Sequence, residues 1–254
     1  MWLTGTDDTA PLRVGIPIGD LLAGYFAAMG ILVALLEREH SGRGQRVETS
    51  LLEALVGSLS FQAAKYVNTG EVPPPVGNHH PLTAPMGVYR AKDGYLNLAV
   101  GNDEMWARLC GAVELRDLVT DPRFERGRDR VTHRRAMDEI LEDALARRTV
   151  AEWVELLNAA GVACGPIYTL DQVFADAQVA GFNLVHELKH PLWGLVKVLG
   201  VPIHLSRTPP EVRTPAPLPG QHTREVLEEL GYDPAAVESL LADGVIEAAK
   251  GDSP

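Results

Sequence analysis

A single carboxylate, Asp20, lies in an apolar stretch that has no other acidic residue between positions 14 and 36. Glycines at positions 15, 19 and 24 leave room for backbone amides or a ligand to approach it. A carboxylate in this setting is suited to nucleophilic attack on an acyl group. It is also suited to capping a helix, because Asp accepts hydrogen bonds from the unpaired amides of a first turn. The local pattern by itself favours the cap.

Two adjacent histidines, His79 and His80 in the segment GNHHP, are candidate metal ligands or supporting residues. Neighbouring side chains in an extended segment point in opposite directions, and no HxxxH spacing or nearby acidic partner is present. The pattern favours a structural or supporting role over metal ligation, so we predict no metal site. No GxSxG nucleophile elbow and no GxxxxGK[ST] phosphate loop occurs in the sequence.

Composition excludes several other functions. The chain has 34 acidic and 23 basic residues and a formal net charge of −11, which argues against nucleic acid as a partner. Cys110 and Cys164 have no CxxC spacing, so we predict that they are packing residues in a reducing compartment. Arg38, Arg43 and Arg46 are adequately explained as a solvated surface after a helix end.

The most apolar helix is predicted over residues 21–39, where Leu22, Phe26, Met29 and Val33 recur at helical spacing. The run is too short for a membrane span and ends in charged residues, so we predict a buried core helix. The N-terminal residues lack the basic segment and apolar core of a signal peptide. We therefore expect a cytoplasmic protein without membrane contact.

Turn and cap signals divide the rest of the chain. Gly42 suits a left-handed helix end, and Thr49 or Ser50 suits the start of the next helix. The segment EVPPPVGNHHPLTAP has five prolines in fifteen residues and predicts a connector between two structural units. Asp93-Gly94 lies between two β-prone runs and predicts a hairpin.

Later segments continue the alternation of helices and strands. Helical periodicity extends over residues 103–160, and residues 185–206 predict two or three strands with Gly194 in a turn. Two short helices are predicted near residues 222–232 and 234–246. The chain thus predicts an α/β fold in which a small α+β domain interrupts a larger one.

Several blocks occur in the order found in the class III CoA-transferases, also called the CaiB/BaiF family, which the chain resembles from about Thr4 to Ile246. These blocks are PLRVGIPIGDLLAGYFAAMGILVALLEREHSGRGQRVETSLLEAL, GNHHPLTAPMGVYRAKDGYLNLAVGN, GVACGPIYTLDQVFAD, HPLWGLVKVLGVPIHLSRTP and PGQHTREVLEELGY. Several colinear blocks are far more specific than a single motif. The chain is therefore identified as a member of that family.

The resemblance implies a chemical role for Asp20, which matches the nucleophile of the family's GD element. In the implied mechanism this carboxylate attacks a donor acyl-CoA thioester, and an aspartyl-CoA thioester then passes coenzyme A to an acceptor carboxylic acid. Coenzyme A thioesters are substrates here, and no permanently bound cofactor is expected. Matching family blocks also suggest substrate-side positions in two loops: Gly77, Asn78, His79 and His80 in the first, and Gly101 and Asn102 in the second.

The resemblance further implies an incomplete Rossmann-like large domain, a small α+β domain and a homodimer of interlocked protomers. We assign residues 1–72 and 166–254 to the large domain and residues 73–165 to the small domain with its linker. Family members begin with a longer N-terminal segment that supplies half of the large domain and most contacts to coenzyme A. Nothing in this sequence resembles that segment, so we expect the chain to correspond to the C-terminal portion of a family member.

Two alternatives remain open. The related α-methylacyl-CoA racemases share the fold and often have Asn four residues before the aspartate, where this chain has Ile16. That difference favours the transferase without excluding the racemase. The chain would alternatively be a non-catalytic fragment or subunit that needs a separate N-terminal chain.

Overall fold

The computed structural model describes residues 1–6 and 8–249 of the chain. These residues fall into two compact units, Met1–Ile167 and Tyr168–Pro254. The predicted segments 1–72 and 73–165 therefore lie within one compact unit, and the last five positions of the predicted segment 166–254 lie outside the described residues.

Within the described residues, the first unit is mainly helical. Its helices are α1 (Ile18–Ser41), α2 (Leu51–Gly57), α3 (Ser60–Thr69), α4 (Asp103–Ala112), α5 (Gly127–Thr132), α6 (Arg134–Leu145) and α7 (Val150–Ala159). Short 3-10 helices occur at Trp2–Thr4 and Arg116–Val119. The predicted end signals are confirmed: Gly42 closes α1 in the left-handed conformation, and the Ser50 side chain accepts a hydrogen bond from the Glu53 amide at the start of α2.

An antiparallel three-stranded sheet forms the other layer of the first unit. Its strands are β1 (Met86–Arg90), β2 (Tyr95–Ala99) and β3 (Ala163–Pro166), with β2 in the centre. The predicted hairpin is confirmed, since β1 and β2 are joined at Asp93-Gly94 and paired in register. β3 was not predicted as a strand; it is a four-residue segment, and its pairing with β2 is a long-range contact that local pattern does not signal.

The core of the first unit lies between this sheet and helices α4, α6 and α7. Successive residues of β1 and β2 alternate between the core and the outer face. The core side chains that are almost fully buried include Leu96, Leu98, Trp106, Leu109, Phe124, Met137, Leu141, Leu145, Trp153 and Leu157. Helix α6 shows the amphipathic spacing responsible, because Met137, Leu141 and Leu145 recur every four residues on its inner face.

Helix α1 differs from this core, and the prediction of a buried helix is wrong for the structure of this chain. None of its 24 residues is buried, and Leu32, Val33 and Leu36 are each more than 60% exposed. The helix is also longer than the predicted range 21–39, because it begins at Ile18 and ends at Ser41. By length and composition alone, α1 is apolar enough to cross a membrane, a property that core helices of soluble proteins share.

The second unit contains a hairpin and four short helices among its described residues. The strands β4 (Val185–His190) and β5 (Gly194–Leu199) pair antiparallel around a left-handed Gly194, as predicted. The helices are α8 (Leu170–Ala175), α9 (Ala177–Gly181), α10 (Thr223–Glu229) and α11 (Pro234–Ala242). The two C-terminal helices were predicted, whereas α8 and α9, which are six and five residues long, were not.

Both sheets in the described part of the chain are antiparallel. The parallel strands expected of a Rossmann-like domain are therefore not formed within the described residues, and residues 8–72 contribute helices only. Parallel strands require crossover connections that return each strand to the same sheet. The segments assigned to the large domain supply helices and a separate hairpin instead.

Candidate functional site

Asp20 lies in the first turn of α1, at the third helical position, with an exposed side chain. The predicted capping role is wrong: the N-cap residue is Pro17, and no side chain caps this helix. Within the described residues, the Asp20 carboxylate has neither a hydrogen-bond partner nor an ion-pair partner. It is therefore available to an external molecule.

The start of α1 also provides free backbone donors beside this carboxylate. The first hydrogen bond of the helix runs from the Leu21 amide to the Pro17 carbonyl at 3.1 Å, so the helix supplies no acceptor for the amides of Gly19 and Asp20. Unpaired amides at a helix N-terminus, together with the helix dipole, favour negative charge at this end. A developing oxyanion would be stabilised there.

The glycines around Asp20 differ in what surrounds them. Gly19 is helical, and an added Cβ at this position would lie 3.3 Å from Leu55 Cδ1, so its small size allows α1 to pack against α2. An added Cβ at Gly15 or Gly24 would meet nothing within 4 Å. This side of the helix is open to a ligand or to further protein.

The first predicted substrate-side loop, residues 77–80, is fixed mainly through its backbone. Gly77 adopts a left-handed φ of 60° and donates its amide to the Gly5 carbonyl at 2.7 Å. The His80 amide donates to the Met86 carbonyl at 2.8 Å, and His79 forms a β-bridge with Gly87. The loop is thereby attached to the first strand of the core sheet.

The second predicted loop, residues 101–102, lies where β2 passes into α4. The Asn102 side chain caps α4 by accepting a hydrogen bond from the Met105 amide at 2.8 Å. The preceding Val100 donates its amide to the Pro85 carbonyl at 3.0 Å. The start of β1 therefore links the two predicted loops indirectly, because His80 bonds to Met86 and the preceding Pro85 bonds to Val100, the residue before Gly101.

Arg130, on α5, connects the segments that follow these two loops through its side chain. It is only 2% exposed, and its Nε donates to the Ala84 carbonyl at 2.9 Å while Nη2 donates to Asp103 Oδ1 at 2.6 Å. Its Nη1 donates to the carbonyls of Phe124 and Glu125 at 2.9 and 3.1 Å. One buried guanidinium thus links Ala84, four residues after the first loop, to Asp103 at the start of α4.

A polar cluster lies behind the first loop. Tyr89 Oη donates to Asp138 Oδ1 at 2.8 Å, and His79 Nε2 lies 3.8 Å from Asp138 Oδ2. Burial raises the pKa of the Asp138 carboxyl, although the Tyr89 hydrogen bond, His79 and Arg134 oppose that shift. Burial, followed by the neighbouring Asp138, raises the pKa of Tyr89 well above its usual value. His79 is therefore part of a protein-internal cluster.

Arg134 completes this cluster. Its Nη2 donates to the His80 carbonyl at 2.7 Å and to the Thr83 carbonyl at 3.1 Å. His80 itself packs against Phe61 of α3, with ring centroids 5.6 Å apart. Since α3 follows α2, and α2 packs on α1, a continuous series of contacts joins the helix of Asp20 to the first loop.

Four residues of this region were not predicted from the sequence: Arg130, Arg134, Tyr89 and Asp138. Both arginines occur in the basic segment GRDRVTHRR, where a buried guanidinium and a solvated one look alike. What distinguishes the two arginines is the set of carbonyls at positions 80–84 and 124–125, which reach them only after folding. The four-residue spacing of Arg130 and Arg134 was the one local feature of the sequence that could have suggested a joint role.

Neither cysteine takes part in these arrangements, and neither forms a disulfide. Burial raises the pKa of the Cys110 thiol to about 12 and that of the Cys164 thiol to about 11. Within residues 1–6 and 8–249, no group of three or more His, Cys, Asp or Glu side chains is arranged to hold a metal ion.

Comparison with known proteins shows what this chain resembles. Residues 1–223 match the model of CoA-transferase family III. A succinyl-CoA:glutarate CoA-transferase of Mus musculus is 36% identical over 248 residues, which cover 97% of this chain and 57% of the mouse protein. A succinyl-CoA–D-citramalate CoA-transferase of Chloroflexus aurantiacus is 33% identical, over 90% of this chain and 57% of that protein.

Solved structures give the same result for the fold. The crystal structure of a CaiB/BaiF family protein from Brucella suis superposes with a TM-score of 0.75 at 30% identity, and the match covers 91% of this chain and 60% of that one. The predicted fold class is confirmed by this match. The chain spans somewhat more than half the length of these relatives.

Proposed function

This chain belongs to CoA-transferase family III, and we propose that it provides the nucleophile and the small domain of an enzyme that transfers coenzyme A between carboxylic acids. The observation that supports the proposal most directly is Asp20: an exposed carboxylate without a protein partner, in the first turn of α1, beside two amides that the helix leaves unpaired. The named relatives support the type of reaction.

In the proposed reaction, a carboxylate oxygen of Asp20 attacks the thioester carbonyl carbon of the donor acyl-CoA. The new C–O bond replaces the C–S bond, which gives an acyl-aspartyl anhydride and the thiolate of coenzyme A. The thiolate then attacks the aspartyl carbonyl carbon, so that the donor acid leaves as a carboxylate and an aspartyl-CoA thioester remains.

The second half of the reaction reverses these steps with a different acid. The acceptor carboxylate attacks the aspartyl thioester and again releases the thiolate. The thiolate attacks the acyl carbon of the acceptor, which yields the new acyl-CoA and regenerates Asp20. A carboxylate nucleophile suits this exchange because the aspartyl-CoA thioester is similar in energy to the acyl-CoA thioesters of donor and acceptor, whereas a serine ester would be too stable to return its acyl group.

Each attack places negative charge on a carbonyl oxygen. The amides of Gly19 and Asp20, which have no acceptor within the helix, are the proposed donors to that oxyanion. The proposed steps require no metal ion or redox group, because each one exchanges an acyl C–S bond for an acyl C–O bond or the reverse, with no change of oxidation state.

We propose dicarboxylic acids as the substrates. The names of the mouse and Chloroflexus relatives each pair succinyl-CoA with a second dicarboxylic acid. In this proposal the loops at residues 77–80 and 101–102 border the acyl group. Both are linked by backbone hydrogen bonds to residues 85–86, the first through His80 and the second through the preceding Val100, and the first loop contacts α3 through the ring of His80.

We propose further that α1 is covered by protein in the active assembly. Its apolar surface is exposed in this chain, and the matched relatives are longer than the region aligned with it. We propose that the covering segment is similar in sequence to the part of the relatives that this chain does not match. It would belong either to the same polypeptide or to a separate one. Two copies of the resulting unit would form the expected cytoplasmic homodimer.

The proposed function is tested by a transfer assay on the purified assembly. Succinyl-CoA is mixed separately with glutarate, D-citramalate and butyrate, and acyl-CoA products are separated by chromatography. We expect glutaryl-CoA or citramalyl-CoA and little butyryl-CoA. Epimerisation of a 2-methylacyl-CoA without exchange of coenzyme A would indicate a racemase instead, and absence of both reactions would indicate a non-catalytic subunit.

A further inference from the structure

Two arginines four residues apart in sequence, one on α5 and one at the start of α6, hold the carbonyl groups of a single loop. Arg134 donates to the carbonyls of His80 and Thr83, and Arg130 donates to the carbonyl of Ala84. The loop therefore presents three backbone oxygens to two guanidinium groups. We call residues 80–84 together with Arg130 and Arg134 the arginine clamp.

The clamp also reaches the second loop. Arg130 Nη2 forms a 2.6 Å ion pair with Asp103, the residue directly after Asn102. The side chain of Arg130 is 2% exposed and that of Asp103 is 64% exposed, so the pair extends from the interior to the surface. Arg130 also lies over the Trp106 ring, with 5.2 Å between Cζ and the ring centroid. Its position is thus fixed by an aromatic ring, a carboxylate and three carbonyls.

These contacts exceed what keeping a charge in the interior requires. A buried guanidinium needs acceptors for its donors, and they could come from any nearby element. Here two separate arginines both donate to residues 80–84, through the carbonyls of His80, Thr83 and Ala84. Ala84 at one end of this loop is buried in the core, whereas Leu82 in the middle is 61% exposed and its amide donates only to the His80 ring among the described residues.

We propose that Arg130 and Arg134 are positioning residues, which fix the two loops that border the acyl group in the proposed reaction. The inference rests on the proposed function for its role in catalysis. The planar fork of Arg makes several hydrogen bonds in fixed directions, whereas Lys offers only a point charge. Loss of the clamp releases the loops without touching the Asp20 carboxylate.

The first test measures the loop itself and needs no enzymatic activity. Hydrogen exchange of the peptide covering residues 77–86 is compared among the wild type, Arg134→Gln, Arg134→Lys and a control, Arg135→Gln. Arg135 is the next residue on α6, with a side chain that is 95% exposed and that pairs, among the described residues, only with Glu139. Hydrogen bonds to a charged group stabilise enough that Arg134→Gln should exchange about tenfold faster, and the control should match the wild type.

The Arg134→Lys variant separates geometry from charge. A single ammonium group cannot reproduce the paired bonds to His80 and Thr83, so we expect exchange between that of the wild type and that of Arg134→Gln. Arg130→Lys is measured in the same way, with circular dichroism as a check on folding, because Arg130 is fully enclosed. Unchanged exchange of residues 77–86 in folded Arg134→Gln would overturn the proposal.

The second test places the loop in the reaction. In the assembly that gives transfer, we expect Arg134→Gln to raise the acceptor KM about tenfold and to change kcat little, whereas Asp20→Asn removes kcat. Faster loop exchange with an unchanged KM would overturn the positioning role and leave the proposed function intact. Wild-type protein without transfer dependent on Asp20 would refute the proposed function, and the catalytic role of the clamp with it.

Discussion

Helices α1 and α6 show two opposite relations between apolar composition and burial. Helix α1 is the more apolar, yet none of its residues is buried, whereas α6 buries Met137, Leu141, Ala144 and Leu145. The difference lies in patterning. A stripe of apolar residues at four-residue spacing is buried by one neighbouring layer. A helix that is apolar on most sides is buried only when other elements pack on several of its sides.

The two helices belong to regions with different roles, a hydrophobic core and a proposed catalytic helix. The sheet, α4, α6 and α7 enclose one buried hydrophobic core. Helix α1 contributes the proposed nucleophile and an exposed apolar surface. Substitutions in these two regions should therefore affect different measurable quantities.

The largest expected effect is on activity, from Asp20→Asn. The amide cannot attack a thioester, so transfer should fall by at least about a thousandfold. Unfolding in urea should shift by less than about 1 kcal/mol, because the carboxylate has no hydrogen-bond or ion-pair partner in the described part of the chain and only a helix-dipole interaction is lost. Transfer that survives the substitution would exclude Asp20 as the nucleophile.

The next effect is on stability and contrasts the two helices directly. Leu141→Ala in α6 should lower the free energy of unfolding by about 2–5 kcal/mol, because Leu141 is fully buried and the truncation leaves a cavity. Leu36→Ala in α1 should change it by no more than about 0.5 kcal/mol, since Leu36 is 65% exposed. Both are measured by urea titration of the chain. Equal losses would mean that α1 is packed in solution.

A smaller effect concerns the exposed surface of α1. The isolated chain should bind a hydrophobic dye strongly or elute as large oligomers, because exposed apolar patches of this kind associate. The double variant Leu32→Gln/Leu36→Gln should reduce dye fluorescence, whereas the control Leu170→Gln, at a leucine of the second unit that is 76% exposed, should reduce it little. A monomer that excludes the dye would show that α1 needs no cover.

The smallest effect is expected at the cysteines. Burial raises the pKa values of Cys110 and Cys164 to about 12 and 11, so both thiols remain protonated at neutral pH and gain reactivity only as pH rises towards those values. Alkylation by iodoacetamide at pH 7.5 should be more than about a hundredfold slower than for free cysteine. The variant Cys110→Ser/Cys164→Ser should keep transfer activity if it folds, and a folded variant without activity would contradict this prediction.

Local signals in the sequence predicted local structure well. The left-handed Gly42, the Ser50 cap, the Asp93-Gly94 hairpin and the Gly194 turn are all present, because each depends on residues adjacent in the chain. The pairing of β3 with β2 was missed for the opposite reason, since it joins residues more than sixty positions apart.

The candidate site was predicted unevenly. Asp20 was found as an isolated carboxylate, but its supposed cap was wrong because Pro17 begins the helix three residues earlier. The loops at residues 77–80 and 101–102 were proposed as neighbours of the substrate, yet the connection through Arg130 was invisible in the sequence. Burial of a guanidinium depends on which carbonyls the folded chain brings to it.

The proposal that Asp20 is the nucleophile is tested most directly by trapping its intermediate. The active assembly is incubated with succinyl-CoA, quenched and digested, and the peptide containing Asp20 is analysed by mass spectrometry. We predict an adduct whose mass equals that of coenzyme A minus water, attached to Asp20 and absent from Asp20→Asn. An adduct on another residue, or rapid transfer without any adduct on this peptide, would contradict the proposal.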